Sequence, residues 1–459
     1  MLSPVLEQYQ ISGTADHVYV EGAVKQSAKL NADGFFERLL VLPSQRCLDL
    51  LRIAVGVHAV DRISKRRKQG DGEIGARQLH LAFEVRDVGF WRQPCVNELL
   101  VEILSFLTAD DWSVDFNESR QALGSGGHQD FLPLPRPFQP KQVALYSGGL
   151  DSAAGLASRL LADADEFILV TVGHQSGLHA RVEKQLNALN GILEASRRTG
   201  IKLLHSTLTT SLEGGKAKRM RQQERTQRSR AFLFCAAAAI AAKAYELERI
   251  EMFENGVGAI NLPLMTGMLG SALSTRGAHP TFLDLMSQLS TQVTEGSIRF
   301  ELPFRSKTKA EILRDLNVCP GLPAWAQESR SCVHTALRES GKTHCGRCPA
   351  CIERRQAFAC AGIEEDLNIY LTNVLGEELP DDAEADYLRL YRHDAARWLD
   401  RAESVQRRMT NHLRLTDVPT DQDSAIHELQ RRHSTEIVKT FGSVFSALPS
   451  ENVSAGNTP

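Results

Sequence analysis

Residues 147–152 read Ser147-Gly148-Gly149-Leu150-Asp151-Ser152 and follow directly on the apolar run Val143-Ala144-Leu145-Tyr146. A buried strand that ends in paired glycines and reopens as a helix leaves a chain few folds to choose from. It must turn sharply at the carboxyl end of a strand and aim a helix N-terminus at that point. Two glycines let backbone N–H groups approach an anion, two hydroxyls add donors, and the helix presents its positive end. Asp151 can cap that helix or help hold Mg2+. The pattern is that of a nucleotide-phosphate cradle. A plain Gly/Ser turn is the alternative, and the strand–turn–helix context favours the cradle. The G-x-x-x-x-G-K-[ST] loop of kinases and GTPases does not occur in the chain.

A second constraint lies far downstream, where Cys332, Cys345, Cys348 and Cys351 are spaced C-x12-C-x2-C-x2-C. Thiolates at this spacing can grip one tetrahedral Zn2+, with Gly346 giving the tight turn between ligands. Four sulfurs fill the shell, so the metal is expected to be structural. Buried free thiols or disulfides are the alternative. The odd total of nine cysteines and the lack of a secretory leader at Met1–Gln10 argue against disulfides. The scattered Cys47, Cys95, Cys235, Cys319 and Cys360 are expected as small core residues.

Downstream of residue 140, apolar strand-like runs alternate with helical ones. Strands are expected at Val143–Tyr146, Phe167–Val172, Lys202–Ser206, Arg249–Phe253 and Ser297–Glu301, and helices at 152–161, 178–196 and 229–245. This alternation predicts an α/β fold, a doubly wound and mostly parallel sheet, with ligands outside the carboxyl ends of its strands. The rule gathers the glycine loop, Gly173-His174-Gln175, Glu254-Asn255-Gly256 and the 303–309 segment into one site. Upstream, strands are expected at His17–Val20, Glu37–Leu42, Leu79–Val85 and Trp112–Phe116, with helices at 48–66 and 96–107. Three glycines and four prolines between Gly124 and Pro140 mark a linker. The expected organisation is an N-terminal α+β module at 1–123, the linker at 124–140, a nucleotide-binding domain with the zinc subsite at 141–370, a helical C-terminal extension at 371–448 and a disordered tail at 449–459. His58, Asp61 and Arg62 share a helical face and read as packing and surface charge. The basic run Arg62, Lys65, Arg66, Arg67, Lys68 reads as a solvated helix end.

The glycine loop resembles the PP-loop of the N-type ATP pyrophosphatases, which have a HUP-like fold. Joined to C-x12-C-G-x-C-x2-C, Arg354, Arg355, Phe358 and Gly362, it looks like 7-cyano-7-deazaguanine synthase (QueC). Thr308-Lys309-Ala310-Glu311 is similar to that family's (S/T)-K-x-E helix start. The segment 228–234 stands where the family has P-A-R-N-x-x-F-L, without the Pro-Ala before Arg230 or the Asn after it. The resemblance covers about residues 141–365. The overall plan is closest to the QueC-like proteins of antiphage operons, of the QatC kind.

The resemblance implies ATP, Mg2+ and Zn2+ as cofactors. It also implies an adenylate-forming C–N ligase that activates the carboxylate of 7-carboxy-7-deazaguanine and joins it to an amine. The acceptor expected is an amine on a partner protein of the same operon, in antiphage defence. The alternatives are preQ0 nitrile synthesis from ammonia, and an ATP-binding regulatory subunit without chemistry. Ser147, Gly148, Gly149, Leu150, Asp151 and Ser152 are the nucleotide-binding candidates, and Asp151, Lys309 and Arg230 the catalytic ones. Arg228, Glu254, Asn255, Arg276 and His279 are candidates for the substrate. The cation-rich loop 214–230 can close on polyphosphate or be solvated surface. A net charge of −3 disfavours nucleic acid, and the longest apolar run, 231–242, is too short to span a bilayer. The expected location is therefore the cytoplasm, with room for a homodimer.

Overall fold

A computed structural model describes residues 6–14, 16–22, 25–41, 43–66, 68–69, 73–119, 139–162, 166–173, 177–196, 202–213, 223–224, 226, 228–264, 275–333, 342–375, 382–414 and 420–448. The expected linker up to residue 138, His174, Gln175, most of the basic loop 214–227 and the tail from 449 lie outside these residues.

The strands are β1 (Leu6–Gly13), β2 (His17–Gly22), β3 (Gln26–Asn31), β4 (Lys68–Gln69), β5 (Glu73–Ile74), β6 (Gln78–Val85), β7 (Asp111–Glu118), β8 (Gln142–Leu145), β9 (Glu166–Gly173), β10 (Lys202–Glu213), β11 (Arg249–Met252) and β12 (Arg299–Glu301). All except the small β4–β5 hairpin join one ten-stranded sheet, in the order β12-β11-β8-β9-β10-β3-β2-β1-β6-β7. The five strands from β12 to β10 are parallel. Their order reverses between β8 and β11, which is where such folds open a ligand crevice. The mostly parallel α/β expectation is met.

The sheet does not stop at the expected boundary near residue 124. Strand β3 pairs antiparallel with β10, Thr210 facing Leu30 and Leu212 facing Ala28. A hydrophobic core runs beneath both halves. It joins Ile11, Phe83 and Trp91 to Val143, Ile168 and the alanine-rich helix Arg230–Ala244. Alternation in β8 sends Val143 and Leu145 to that core, and Ala144 and Tyr146 to a second one beneath helices Leu150–Leu161, Leu178–Ala195 and Pro349–Ala361.

Three local expectations are corrected. Residues 37–42 are not a strand: Asp33–Leu39 is a helix that buries Phe35, Phe36 and Leu39, and Leu40 ends it in the left-handed region at φ 50°. A short apolar run cannot by itself distinguish the two, and packing on β10 decides. Arg66 is not solvated; it is buried and pairs with Asp61 at 3.3 Å and Asp110 at 2.5 Å. Cys95 is exposed, whereas Cys47, Cys235, Cys319 and Cys360 are buried as expected.

After residue 381 the chain forms helices Asp382–Leu399, Glu403–Arg414 and Asp423–Ala447. The first and last build a core with Ile352, using Leu388, Tyr391, Ile437 and Phe441. The helical extension therefore lies against the helix that follows the cysteine cluster. None of the described helices is long and apolar enough to cross a membrane.

Candidate active site and metal centre

The PP-loop turns out of β8 through Gly148, whose φ of 72° is left-handed. A Cβ there would be strained and would press on Val182 at 3.1 Å. Ser147 is exposed, and Gly149 caps helix Leu150–Leu161 without a side-chain cap. The helix therefore offers its free N–H groups to the crevice. Within the loop, Ser147 Oγ lies 3.2 Å from Ser152 Oγ and accepts from Gly149 N at 3.3 Å. Tyr146 behind it donates to Gln185 at 2.9 Å, so helix Leu178–Ala195 braces the turn.

Asp151 caps nothing; it faces inward. Its carboxylate meets Lys309 Nζ at 3.1 Å and accepts from Asn255 Nδ2 at 2.9 Å. The same Asn255 amide donates to Glu254 at 2.9 Å, while its Oδ1 caps helix Gly256–Ile260. These residues follow the carboxyl end of β11. Lys309 opens helix Lys309–Asp315 behind a Thr308/Glu311 capping box, the structural content of the T-K-A-E motif. Its ammonium also reaches Glu353 at 3.3 Å. Lys309 is buried, which disfavours its charge, yet Asp151, Glu353 and Glu254 outweigh that and hold its pKa above the ordinary value. Burial and the Asp151 carboxylate push Glu254 well up. Burial also works against the Glu353 charge, but Lys309 and His433 hold its pKa below the usual range.

Sequence reasoning missed three members of this cluster. Glu353 lies two residues after Cys351 on helix Pro349–Ala361, and Tyr391 Oη donates to it at 2.8 Å. His433, buried and with its pKa lowered by that burial, interacts with Glu353 and Lys309 from the last helix. Only Glu353 had a local signal, its place beside a metal-ligand motif.

Other candidates are held elsewhere. Arg228 is buried and donates to the Thr108 carbonyl at 2.7 Å; burial and the nearby Arg66 lower its pKa to about 10. Arg276 lies over the Phe106 ring at 4.7 Å. His279 packs on the same ring and caps helix Pro280–Thr294. All three meet the N-terminal half of the sheet. Arg230 is exposed at the start of its helix, with its guanidinium 5.3 Å from the Phe234 ring centre.

One thiol sulfur from each of Cys332, Cys345, Cys348 and Cys351 lies within 4.8 Å of the others. The Cys345–Cys351 pair is 3.9 Å apart, close to the roughly 3.8 Å edge of a tetrahedron with 2.3 Å metal–sulfur bonds. Backbone N–H groups of Cys345 and Cys348 point at Cys332 and Cys345 sulfurs, each at 3.4 Å. Gly346 turns at φ 84°, where an added Cβ would strike the Thr372 carbonyl. The residues fit a four-cysteine zinc site. Arg354, fully buried, ties this region to the PP-loop: it donates to the Ser329 and Gln327 carbonyls at 2.9 and 2.8 Å, and Arg330 N reaches the Gly148 carbonyl at 3.4 Å. His179, Glu183 and His205 form another donor group. Its two imidazoles are 5.7 Å apart between ring centres and 18° from parallel.

With this geometry in view, a family model described as queuosine biosynthesis protein QueC matches residues 265–362, which hold Lys309, Glu353 and the four cysteines. The 7-cyano-7-deazaguanine synthase of Rhizobium rhizogenes is 34% identical over 107 residues, 21% of this chain and 41% of that protein. That of Nitrosococcus oceani is 30% identical over 236 residues, 49% of this chain and 96% of that protein. That of Rhizobium johnstonii is 26% identical over 236 residues, 49% of this chain and 90% of that protein. The chain thus spans less than half of the first relative and nearly all of the second. Residues 382–448 lie beyond the family-model match.

Proposed function

Because the chain belongs to the QueC family of 7-cyano-7-deazaguanine synthases, we propose that it uses ATP to activate the carboxylate of 7-carboxy-7-deazaguanine. The observation that carries this reading is the open PP-loop at the β8–β11 crevice, with Lys309 and Asp151 3.1 Å apart beside it. The carboxylate oxygen attacks the α-phosphorus, the α–β phosphoanhydride bond breaks, and pyrophosphate leaves. An amine nitrogen then attacks the acyl carbon, AMP departs and a proton passes to solvent.

The PP-loop N–H groups and the Ser147 and Ser152 hydroxyls hold phosphate, and Lys309 offsets the charge that develops on the leaving pyrophosphate. Asp151 and Glu353 outnumber Lys309 in the crevice, so polyphosphate would enter with Mg2+, for which Asp151 is the carboxylate beside the loop. Arg230, exposed on its helix, is the candidate to meet the acid substrate. Zn2+ bound by the four cysteines would hold the segment that backs the PP-loop, with no open position for bond making.

Ammonia as acceptor would lead toward the nitrile for which the relatives are named. An amine on a partner protein, with a role in antiphage defence, is the second reading. It is favoured by the C-terminal helices, which pack on the Lys309 turn from beyond the family-model match, and by the five strands that extend the sheet past β10. Exchange of labelled pyrophosphate into ATP, dependent on 7-carboxy-7-deazaguanine, tests the activation step. Release of ADP and phosphate in place of AMP and pyrophosphate overturns it. Mass spectrometry of the product formed with ammonia, and of a candidate partner protein, then separates the two acceptors.

A further inference from the structure

Two of the elements that build the surroundings of Lys309, helices Asp382–Leu399 and Asp423–Ala447, lie beyond residue 362, where the family-model match ends. Tyr391, from helix Asp382–Leu399, donates to Glu353 Oε1 at 2.8 Å, and the other oxygen of the same carboxylate meets Lys309 at 3.3 Å. The Tyr391 ring is buried in a core with Ile352, Leu388 and Phe441, so its hydroxyl has a fixed address. His433 is buried on helix Asp423–Ala447.

One turn on, Glu436 accepts from Thr308 Oγ1 at 3.0 Å, the capping hydroxyl immediately before Lys309, and from Gln356 at 2.8 Å. Arg432 reaches the Ser306 carbonyl at 2.6 Å and Glu311 at 3.3 Å. The final helix therefore grips the backbone turn that launches Lys309. A helix serving only as a cover would bury apolar surface. This one spends Arg432 and Glu436 on the Lys309 turn.

We propose that the C-terminal helices are part of the catalytic centre, with Tyr391 as a positioning residue that orients Lys309 through Glu353, and Glu436 as one that holds the Thr308 turn from which Lys309 projects. This rests on the reading of Lys309 as a phosphate contact. With Glu353 fixed on one side and Asp151 on the other, the ammonium is held at the mouth of the PP-loop. Phosphate then meets it without a search through its rotamers.

The test is pyrophosphate exchange by the full chain, with separate measurement of kcat and of KM for ATP. Tyr391→Phe keeps the ring and removes one hydrogen bond to a charged group, so it should lower kcat about tenfold with little change in KM. Glu436→Ala, which removes the acceptor of the Thr308 hydroxyl, should act in the same direction. Adding Tyr391→Phe to Glu353→Gln should cost nothing beyond Glu353→Gln alone, because both act through one carboxylate. Melting temperatures identify any variant that fails to fold, and the other variant then carries the test. Full exchange in folded Tyr391→Phe and Glu436→Ala proteins, or losses that multiply in the double variant, overturn the proposal. Lys309→Met separates the two levels: if it abolishes exchange while Tyr391→Phe is silent, only the positioning role falls. If Lys309→Met exchanges normally, the phosphate reading falls with it.

Discussion

Two buried clusters of charge, one under each half of the sheet, are built to opposite plans. In the N-terminal half, Asp61, Asp110 and Glu224 meet Arg66, Arg77 and Arg228. Asp61 accepts from Arg77 at 2.6 Å and from the Ser229 N–H and hydroxyl at 3.0 and 2.8 Å. Burial opposes its charge, but Arg77 and Arg66 hold its pKa far below the usual range. Asp61 and Asp110 each pair with both Arg66 and Arg77. At the PP-loop, Asp151, Glu254 and Glu353 surround a single ammonium, Lys309. Glu254 is pushed toward its neutral form in response.

The difference teaches what each cluster is for. Carboxylates matched by guanidiniums can lock β6 and β7 to the start of helix Arg230–Ala244. An excess of carboxylates beside an exposed loop is what a cationic ligand would offset. Sites that carry chemistry are where such imbalance is tolerated.

Removing one charge from each cluster should break the protein in different ways. The largest effect is expected from Asp61→Asn. It leaves Arg66 and Arg77 underpaired in the interior and should destabilise the chain by about 3–5 kcal/mol, read by denaturant unfolding. Exchange per folded molecule should not change. A loss under about 1 kcal/mol would mean that the network contributes little and the contrast is false.

Next comes Asp151→Asn, which should lower pyrophosphate exchange about a hundredfold while unfolding free energy moves by less than about 1 kcal/mol. Equal damage to stability would make the PP-loop cluster a second structural lock.

The smallest effect is a pH dependence. Glu254 keeps its proton to higher pH in the folded chain than in the unfolded one, so above the ordinary value of 4.5 the folded state binds more protons. Stability from this group is full below that value and declines as pH rises through the raised one. Subtracting the Glu254→Gln profile from the wild-type profile should isolate this decline, free of the opposite contribution of Glu353. A flat difference from about pH 4 to about pH 8 would show that Glu254 is not perturbed.

The most legible parts of the site were those whose chemistry is local. The PP-loop needs its glycines and hydroxyls within six consecutive residues, and the metal ligands need fixed short spacings. Lys309 could be named because a Thr-Lys-x-Glu start carries its own capping box. Arg276 and His279 were named by residue type in a loop, and Arg228 by its place in the family-like segment 228–234. Such side chains serve packing as readily as chemistry, and their contacts are with Thr108 and Phe106.

By itself, then, the sequence determined the strand–turn–helix of the PP-loop, the parallel α/β alternation around it and the four-cysteine cluster, because each arises from interactions between neighbours along the chain. Only the tertiary structure decided that β3 would join β10 and make one sheet of both halves, that Arg66 would be interior, and that Tyr391 would reach Lys309 through Glu353. Those outcomes depend on which faces meet across long separations, from 38 residues for Tyr391 and Glu353 to 180 for Leu30 and Thr210. A backbone edge or a helix face carries no mark of its partner until the core that joins them has formed.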